Sequence, residues 1–342
     1  MPTLTIILKS GLDAFLEYLS AHVLTCLVPA FFIAGAISVF VSQASVMKYF
    51  GPRTNKALSY GVASVSGTIL AVCSCTVLPL FAGIYTMGAG LGPAIAFLYS
   101  GPAINVLAIV YSARLLGFEI GLARAIGAVS FSIVIGLIMA FIFGREKKEL
   151  ERTAVMPEQT AGKNGWITLA YFASLVCILI FGAGKKWIPA IISLIALFLI
   201  LRKWFTKEEI KEWLSSTWNF VKLITPWLLG GVFIAGMLKI LIPQEIVARL
   251  VGGNNFTANF IASVFGAFMY FATLTEVPII KAFMQMGMGK GPALALLLAG
   301  PALSLPSMIA LGKIMGAKKT VAYVCLVVFM STITGIFFGS LF

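Results

Sequence analysis

Charge is scarce in this sequence. Asp, Glu, Lys and Arg make up 11% of its 342 residues, against about 25% in an ordinary soluble domain, and that deficit excludes a water-soluble globular protein. No polar segment is long enough to form a soluble domain beside the apolar runs. No G-x-x-x-x-G-K-[ST] stretch occurs, so the chain offers no phosphate-cradling loop for ATP. Histidine occurs once, as His22 at the start of an apolar run, and reads as an interfacial side chain rather than a ligand. Cysteine occurs five times, at spacings that resemble no disulfide framework. Cys26, Cys177 and Cys325 stand alone in apolar surroundings and read as small buried hydrophobes. The start MPTLTIILKS has neither a basic n-region nor a small-residue cleavage site, so no cleaved signal peptide is expected.

What is abundant is apolar sequence. Hydrophobic residues reach 60% and the mean hydropathy is +1.02. Runs near the roughly 20 residues needed to cross a bilayer recur at 21–42, 57–72, 93–115, 119–143, 166–183, 186–201, 219–242, 257–272, 292–312 and 320–340. Barrel strands would alternate with a period of two over about 10 residues, so these continuous runs predict helices. The fold class expected is an all-α polytopic protein of the cell membrane. A net charge of +13 is scattered over short loops, so it reports topology and not nucleic-acid binding. The loop from Arg145 to Lys163, with Lys147, Lys148 and Arg152, is the richest in basic residues and is placed in the cytoplasm, together with Arg202, Lys203, Lys207 and Lys211.

An internal repeat organises these runs. TVLPLFAGIYTMGAGLGPAIAFLYSGPA (76–103) aligns without a gap on TEVPIIKAFMQMGMGKGPALALLLAGPA (275–302), with 13 of 28 positions identical. Thr76 pairs with Thr275, Pro79 with Pro278, Gly88 with Gly287, Gly90 with Gly289, Gly92 with Gly291, Gly101 with Gly300 and Pro102 with Pro301. FIAG at 32–35 matches FIAG at 233–236. The chain therefore divides into a first repeat (1–143), a loop and central pair of linker helices (144–211) and a second repeat (212–342). Equivalent loops differ in charge. Lys48, Arg53 and Lys56 face only Arg249 and Glu245, whereas Lys313, Lys318 and Lys319 face only Arg114. The positive-inside tendency then predicts two repeats of inverted topology, each with four to five spans.

Inverted repeats interrupted at matching positions point to a transporter with its site at mid-membrane. GAGLGP (88–93) and GMGKGP (287–292) should interrupt one helix in each half, and SGPAIN (100–105) and AGPALS (299–304) a second. These interruptions form broken helices or re-entrant hairpins. Irregular backbone at that depth survives where protein or water satisfies it, so the glycines and prolines are expected to line a cavity and act as hinges. They are Pro79, Gly88, Gly90, Gly92, Gly101 and Pro102 in the first half, and Pro278, Gly287, Gly289, Gly291, Gly300 and Pro301 in the second.

CSCTVLP (73–79) falls in the first of these regions. On a regular helix, residues two apart diverge by about 200°, but on unwound backbone they face the same way. Cys73 and Cys75 could then converge on one soft guest, such as a trivalent arsenical or Cu(I). The second half has Ala272 and Leu274 there, so a thiol site would belong to one repeat. That half instead carries Glu276 where the first has Val77, and a carboxylate at this depth reads as a proton carrier, unless Lys281 neutralises it. Thr76, Thr275, Asn105 and Ser304 are the polar candidates for contact with substrate.

The segment CSCTVLPLFAGIYTMGAGLGPAIAFLYSGPAIN resembles the hallmark stretch of a predicted-permease family that includes the ArsP organoarsenical exporters, and is similar to copper/zinc efflux permeases with a CSCxxxPL pattern. The likeness covers nearly the whole chain. It implies export of trivalent methylated or aromatic arsenicals, with membrane cysteines receiving the arsenic, a role that carries over only to Cys73 and Cys75. The function expected is a secondary-active permease, not an enzyme, that exports a soft metal or metalloid species. Its partners are the lipid bilayer, the substrate and a coupling proton, with no cofactor and no nucleic acid. Alternatives are a transporter of a small organic or sulfur-containing solute, and a membrane thiol redox protein.

Overall fold

The computed structural model describes residues 4–20, 23, 27–40, 55–70, 74–104, 106–153, 165–183, 186–241, 250–269 and 276–342. Among these the chain is all helical, with fifteen α-helices and a single isolated bridge between Gly252 and Met288. In chain order they are α1 (Leu4–Tyr18), α2 (Val28–Phe40), α3 (Lys56–Leu70), α4 (Ser74–Thr86), α5 (Leu91–Ala103), α6 (Val106–Leu116), α7 (Phe118–Thr153), α8 (Gly165–Ala183) and α9 (Trp187–Trp204). There follow α10 (Lys207–Leu241), α11 (Phe256–Phe268), α12 (Glu276–Gln285), α13 (Lys290–Ala299), α14 (Leu305–Ile314) and α15 (Ala317–Leu341).

Local chemistry explains where these helices start. Asn55 accepts from the Ala57 amide before α3, and Asn255 accepts from Ala258 at the start of α11, so an Asn cap opens the matching helix in both halves. Thr206 and Glu209 bond reciprocally to each other's amides before α10, a capping box. Between α4 and α5 the chain turns through Gly88 at φ 96°, and between α12 and α13 through Gly287 at φ 106°. Only glycine takes that conformation without strain. Gly117 and Gly316, again repeat counterparts, do the same ahead of α7 and α15.

The helices of the two halves pack alike. α5 lies against α3 and α7, and α13 lies against α11 and α15. In each half a pair of glycines brings backbones together: a Cβ on Gly92 would stand 2.8 Å from the Gly136 carbonyl, and one on Gly291 would stand 2.5 Å from that of Gly335. Small residues permit such close approach where lipid supplies no hydrophobic drive between helices. Ser64 and Ser132 join α3 to α7 at 2.9 Å, and Ser263 and Thr332 join α11 to α15 at 3.2 Å. Every residue of α5 is buried, as are Gly291 to Ala299 of α13, as expected of helices that are apolar all round. These two meet at the centre of the molecule. Tyr99 donates to the carbonyl of Leu298 at 3.1 Å, and Leu298 is its own counterpart 199 residues on.

Other pairings cross between the halves: α6 with α12, α4 with α14, and α7 with both α13 and α15. The start of α5 sits beside Gly136 of α7, whereas Lys290 at the start of α13 bonds Glu119 of α7 at 3.1 Å. At 1.5 Å per residue those two places are about 25 Å apart along α7. α8 is tied to the body by Tyr171, which packs against Phe40 of α2 and Trp213 of α10. α9 packs on α8 and turns most of its apolar side chains outward, as a lipid-facing helix does.

Among the described residues three helices are long and apolar enough to cross a membrane: Phe118–Phe143 within α7, α9 and α15. α5 and α6, bent by 49° at their junction, make a fourth if counted as one span. Within 257–269 and 292–312 the helices are of 10 to 13 residues, which at 1.5 Å per residue fall short of a hydrocarbon layer about 30 Å thick.

α5 ends within SGPAIN (100–105), capped at Ile104, as expected, but the individual prolines are placed differently. Pro79 lies inside α4, and Gly101 and Pro102 lie inside α5. Pro278 lies within α12. Pro301 is the exception that matches expectation in kind, for it is buried in the turn between α13 and α14, so the equivalent of the unbroken α5 stops three residues earlier in the second half. Gly289 corrects the reading of 287–292 as a run of flexible glycines. It caps α13 in ordinary extended backbone, with φ −69° and ψ 157°, and a Cβ there would collide with the Gly253 carbonyl. Close approach of backbone, not freedom of rotation, is what requires glycine at 289.

Candidate functional site

Glu276 is the first residue of α12 and is 1% exposed. A carboxylate at a helix N-terminus is favoured by the helix dipole, but full burial in an apolar bundle demands a counter-charge as well. Arg124 supplies it. Its guanidinium, wholly buried on α7, stands with Nη2 3.7 Å from Glu276 Oε2. Nη1 donates to Ser112 Oγ of α6 at 2.8 Å, and Ser112 in turn donates to the Ala108 carbonyl. Among the described residues, Nε and Nη2 of Arg124 and both oxygens of Glu276 have no hydrogen-bond partner. The pair is thus in Coulombic contact without the closed, bidentate geometry that an Arg–carboxylate pair can adopt.

Arg124 lies on the apolar stretch of α7 that runs from Phe118 to Phe143, and Leu298 packs against Gly127, less than one helical turn from Arg124. Around the pair stand Tyr99, near both Arg124 and Tyr323, and Gly300, whose Cβ position is 3.3 Å from Glu276 Oε1. The absence of a side chain at Gly300 leaves room for the carboxylate. Ionisable groups within apolar spans are costly and mark pathways and relays. The arrangement can hold a proton, or the polar end of a guest, between a fixed cation and a carboxylate.

The sequence-derived candidates fall into three groups. Glu276 and Gly300 are brought together, with Pro278 and Pro301 each within two residues of one of them in sequence. The basic group beside Glu276 is Arg124, not Lys281, which lies half-buried further along α12. Thr76 is buried near the start of α4, and Ser304 caps α14, accepting from the Ser307 amide at 3.3 Å and bonding its hydroxyl at 2.7 Å. Because α4 packs on α14, these two helix starts belong to one interface between the halves. Gly88 to Gly92 and Gly287 to Gly291 lie at the far ends of α5 and α13 from the Tyr99–Leu298 contact, so they do not adjoin Glu276. Cys75 is the second residue of α4. Cys73, Asn105 and Thr275 lie outside the described residues, as do His22 and Cys26. Among the described residues no three His, Cys, Asp or Glu side chains gather as a metal site.

Arg124 is the residue that sequence reasoning missed. Its signal was present, since it is a charge inside the apolar run 119–143, and its repeat counterpart is Tyr323.

A family profile described as a predicted permease, ArsP_1, matches residues 10–340. The chain is similar to the UPF0718 protein MJ0584 of Methanocaldococcus jannaschii, with 46% identity over 97% of this chain and 96% of that protein. It is also similar to the UPF0718 protein YraQ of Escherichia coli, with 24% identity over 81% of this chain and 69% of that protein. No solved structure matches it.

Proposed function

We propose that this chain, which belongs to the ArsP_1 family of predicted permeases, is a secondary-active permease of the cell membrane that exports a thiophilic species, a trivalent monosubstituted arsenical being the best chemical fit. The observation that carries this reading is the packing of α4, whose second residue is Cys75, on α14 of the other half. A thiol site there would lie at an interface between the halves, where alternating access would open and close it. On unwound backbone Cys73 and Cys75 would face the same way.

Two thiols and one carbon substituent complete three-coordinate arsenic. With a dihydroxy arsenical, two As–S bonds form, two As–O bonds break, and each thiol proton leaves with a hydroxide as water. No oxidation takes place, so the exchange is reversible and release requires only rehydration. Soft thiolates select such a guest over Na⁺ or Mg²⁺. Glu276 serves as the coupling carboxylate.

An inverted relation between the halves is part of this proposal. It is supported by the starts of α5 and α13, equivalent in sequence, which lie beside opposite ends of α7. Tyr99 and Leu298 are equivalent residues in contact, as residues beside such an axis would be. With the basic 144–165 loop in the cytoplasm, the two halves would rock about that centre.

The test is binding of methylarsenite, Cu(I) and Zn²⁺ to purified protein under reducing conditions, comparing wild type with Cys73→Ser/Cys75→Ser. Thiol-dependent binding of methylarsenite supports the proposal. Binding of none of the three that depends on the thiols removes it in favour of an organic solute.

A further inference from the structure

Arg124 and Glu276 break the internal symmetry in a particular way. At the repeat offset, Glu276 corresponds to Val77 and Arg124 to Tyr323, so each half contributes one charge and neither half could form the pair alone. Arg124 sits on the long α7 of the first repeat, while Glu276 heads the short α12 of the second, which packs on α6. Both are fully buried, yet they stop at 3.7 Å with four polar atoms unpartnered among the described residues. A pair serving only to hold the fold would gain from closing those bonds. An unclosed pair is held mainly by charge and is correspondingly sensitive to the loss of either charge.

We propose that Arg124 and Glu276 form a charge latch between the two halves, and that neutralising Glu276 releases α12 from α6 and α7. This rests on the reading of Glu276 as the coupling carboxylate, and adds the group with which a proton competes. The groups around Glu276 leave that competition to one cation. From α7 comes Arg124, from α6 Ser112, from α5 Tyr99 and from α15 Tyr323. The end of α13 presents the backbone of Gly300, while Lys290 at its start is exposed and bonded to Glu119. Lys281, on α12 itself, is half-buried without an ion pair among the described residues. While Glu276 is charged, it holds Arg124 and the α12 N-terminus in one buried cluster. Once it is protonated, Arg124 keeps only Ser112, and a buried cation without a counter-charge is relieved by admitting water. The same event that loads a proton therefore loosens the contact between the halves.

Hydrogen exchange read by mass spectrometry on the detergent-solubilised full chain tests this without any substrate. At one fixed pH, Glu276→Gln and Arg124→Gln should each speed exchange in 276–285 and 106–116 by about tenfold or more, with α15 little changed. Lys281→Gln should exchange as wild type does. Lowering the pH, after correction for intrinsic rates, should bring wild type toward the Glu276→Gln pattern and leave Glu276→Gln where it is. Should the single variants fail to fold, Arg124→Gln/Glu276→Gln removes both charges and leaves none stranded, and faster exchange confined to the same two segments supports the latch. Wild-type exchange in those segments in a folded variant overturns it, as does acceleration spread evenly over all helices. Since no arsenical is present, the latch and the cargo can fail independently.

Discussion

Adding one methyl group at Gly136 should separate α5 from α7. A Cβ there would lie 2.6 Å from the Gly92 carbonyl, 2.8 Å from Tyr60 Cε1 and 3.3 Å from Ala96 Cβ. A carbon rests against a carbonyl oxygen at about 3.3 Å or more, so the first contact alone forces the two backbones apart by about 0.7 Å, and backbone, unlike a side-chain tip, cannot swing aside. Overpacking of this kind typically costs about 1–3 kcal/mol, offset by about 0.5–1 kcal/mol of improved helix propensity, for a net loss of about 1–2 kcal/mol. Gly335→Ala, at the matching place in the second half, meets the Gly291 carbonyl at 2.8 Å and Ala295 Cβ at 2.9 Å, and should lose a similar amount. Gly61→Ala is the control, for nothing among the described residues lies within 4 Å of its Cβ position on α3; it should be neutral or more stable. Thermal unfolding in a mild detergent, followed by circular dichroism, reads all three. If Gly136→Ala and Gly335→Ala melt at or above the wild-type temperature, the paired glycine crossings are not what sets the helix spacing in the two halves.

Gly88 needs to be glycine for its backbone, at φ 96°, so Gly88→Ala should cost about 1–2 kcal/mol. Tyr99→Phe leaves the buried Leu298 carbonyl without its donor, and should lower stability by about 1 kcal/mol. Lys290→Ala removes an ion pair whose members are 43% and 48% exposed, and should change stability by about 0–1 kcal/mol.

The features that were legible in sequence are those written in glycine and in caps. The turn at Gly88 and its copy at Gly287 could be read because left-handed backbone nearly demands glycine, and the repeat could be read because these residues recur in register. Proline proved a poorer guide to position. Pro79, Pro102 and Pro278 sit within helices, where neighbouring elements can tolerate a missing amide. Of the six repeated prolines only Pro301 falls in a turn. Gly289 shows that a repeated glycine can be required by close approach and not by rotation, since it is pressed against the carbonyl of Gly253. Apolar runs do not by themselves mark long helices, because enclosed half-length helices such as α5 and α13 are as hydrophobic as a full span. Glu276 was legible as an isolated charge at depth. Arg124 satisfied the same criterion but lay in a run that reads as a plain span, and only the fold brings α7 and α12 together.

The most direct test of the account is methylarsenite accumulation by everted membrane vesicles under an imposed inward-acid proton gradient, measured for wild type, Cys73→Ser/Cys75→Ser and Glu276→Gln. The account predicts gradient-driven accumulation by wild type, none by the double cysteine variant, and only equilibration, with no concentration beyond the medium, by Glu276→Gln. Accumulation that persists without the thiols, or that Glu276→Gln still drives to the wild-type level, would contradict it.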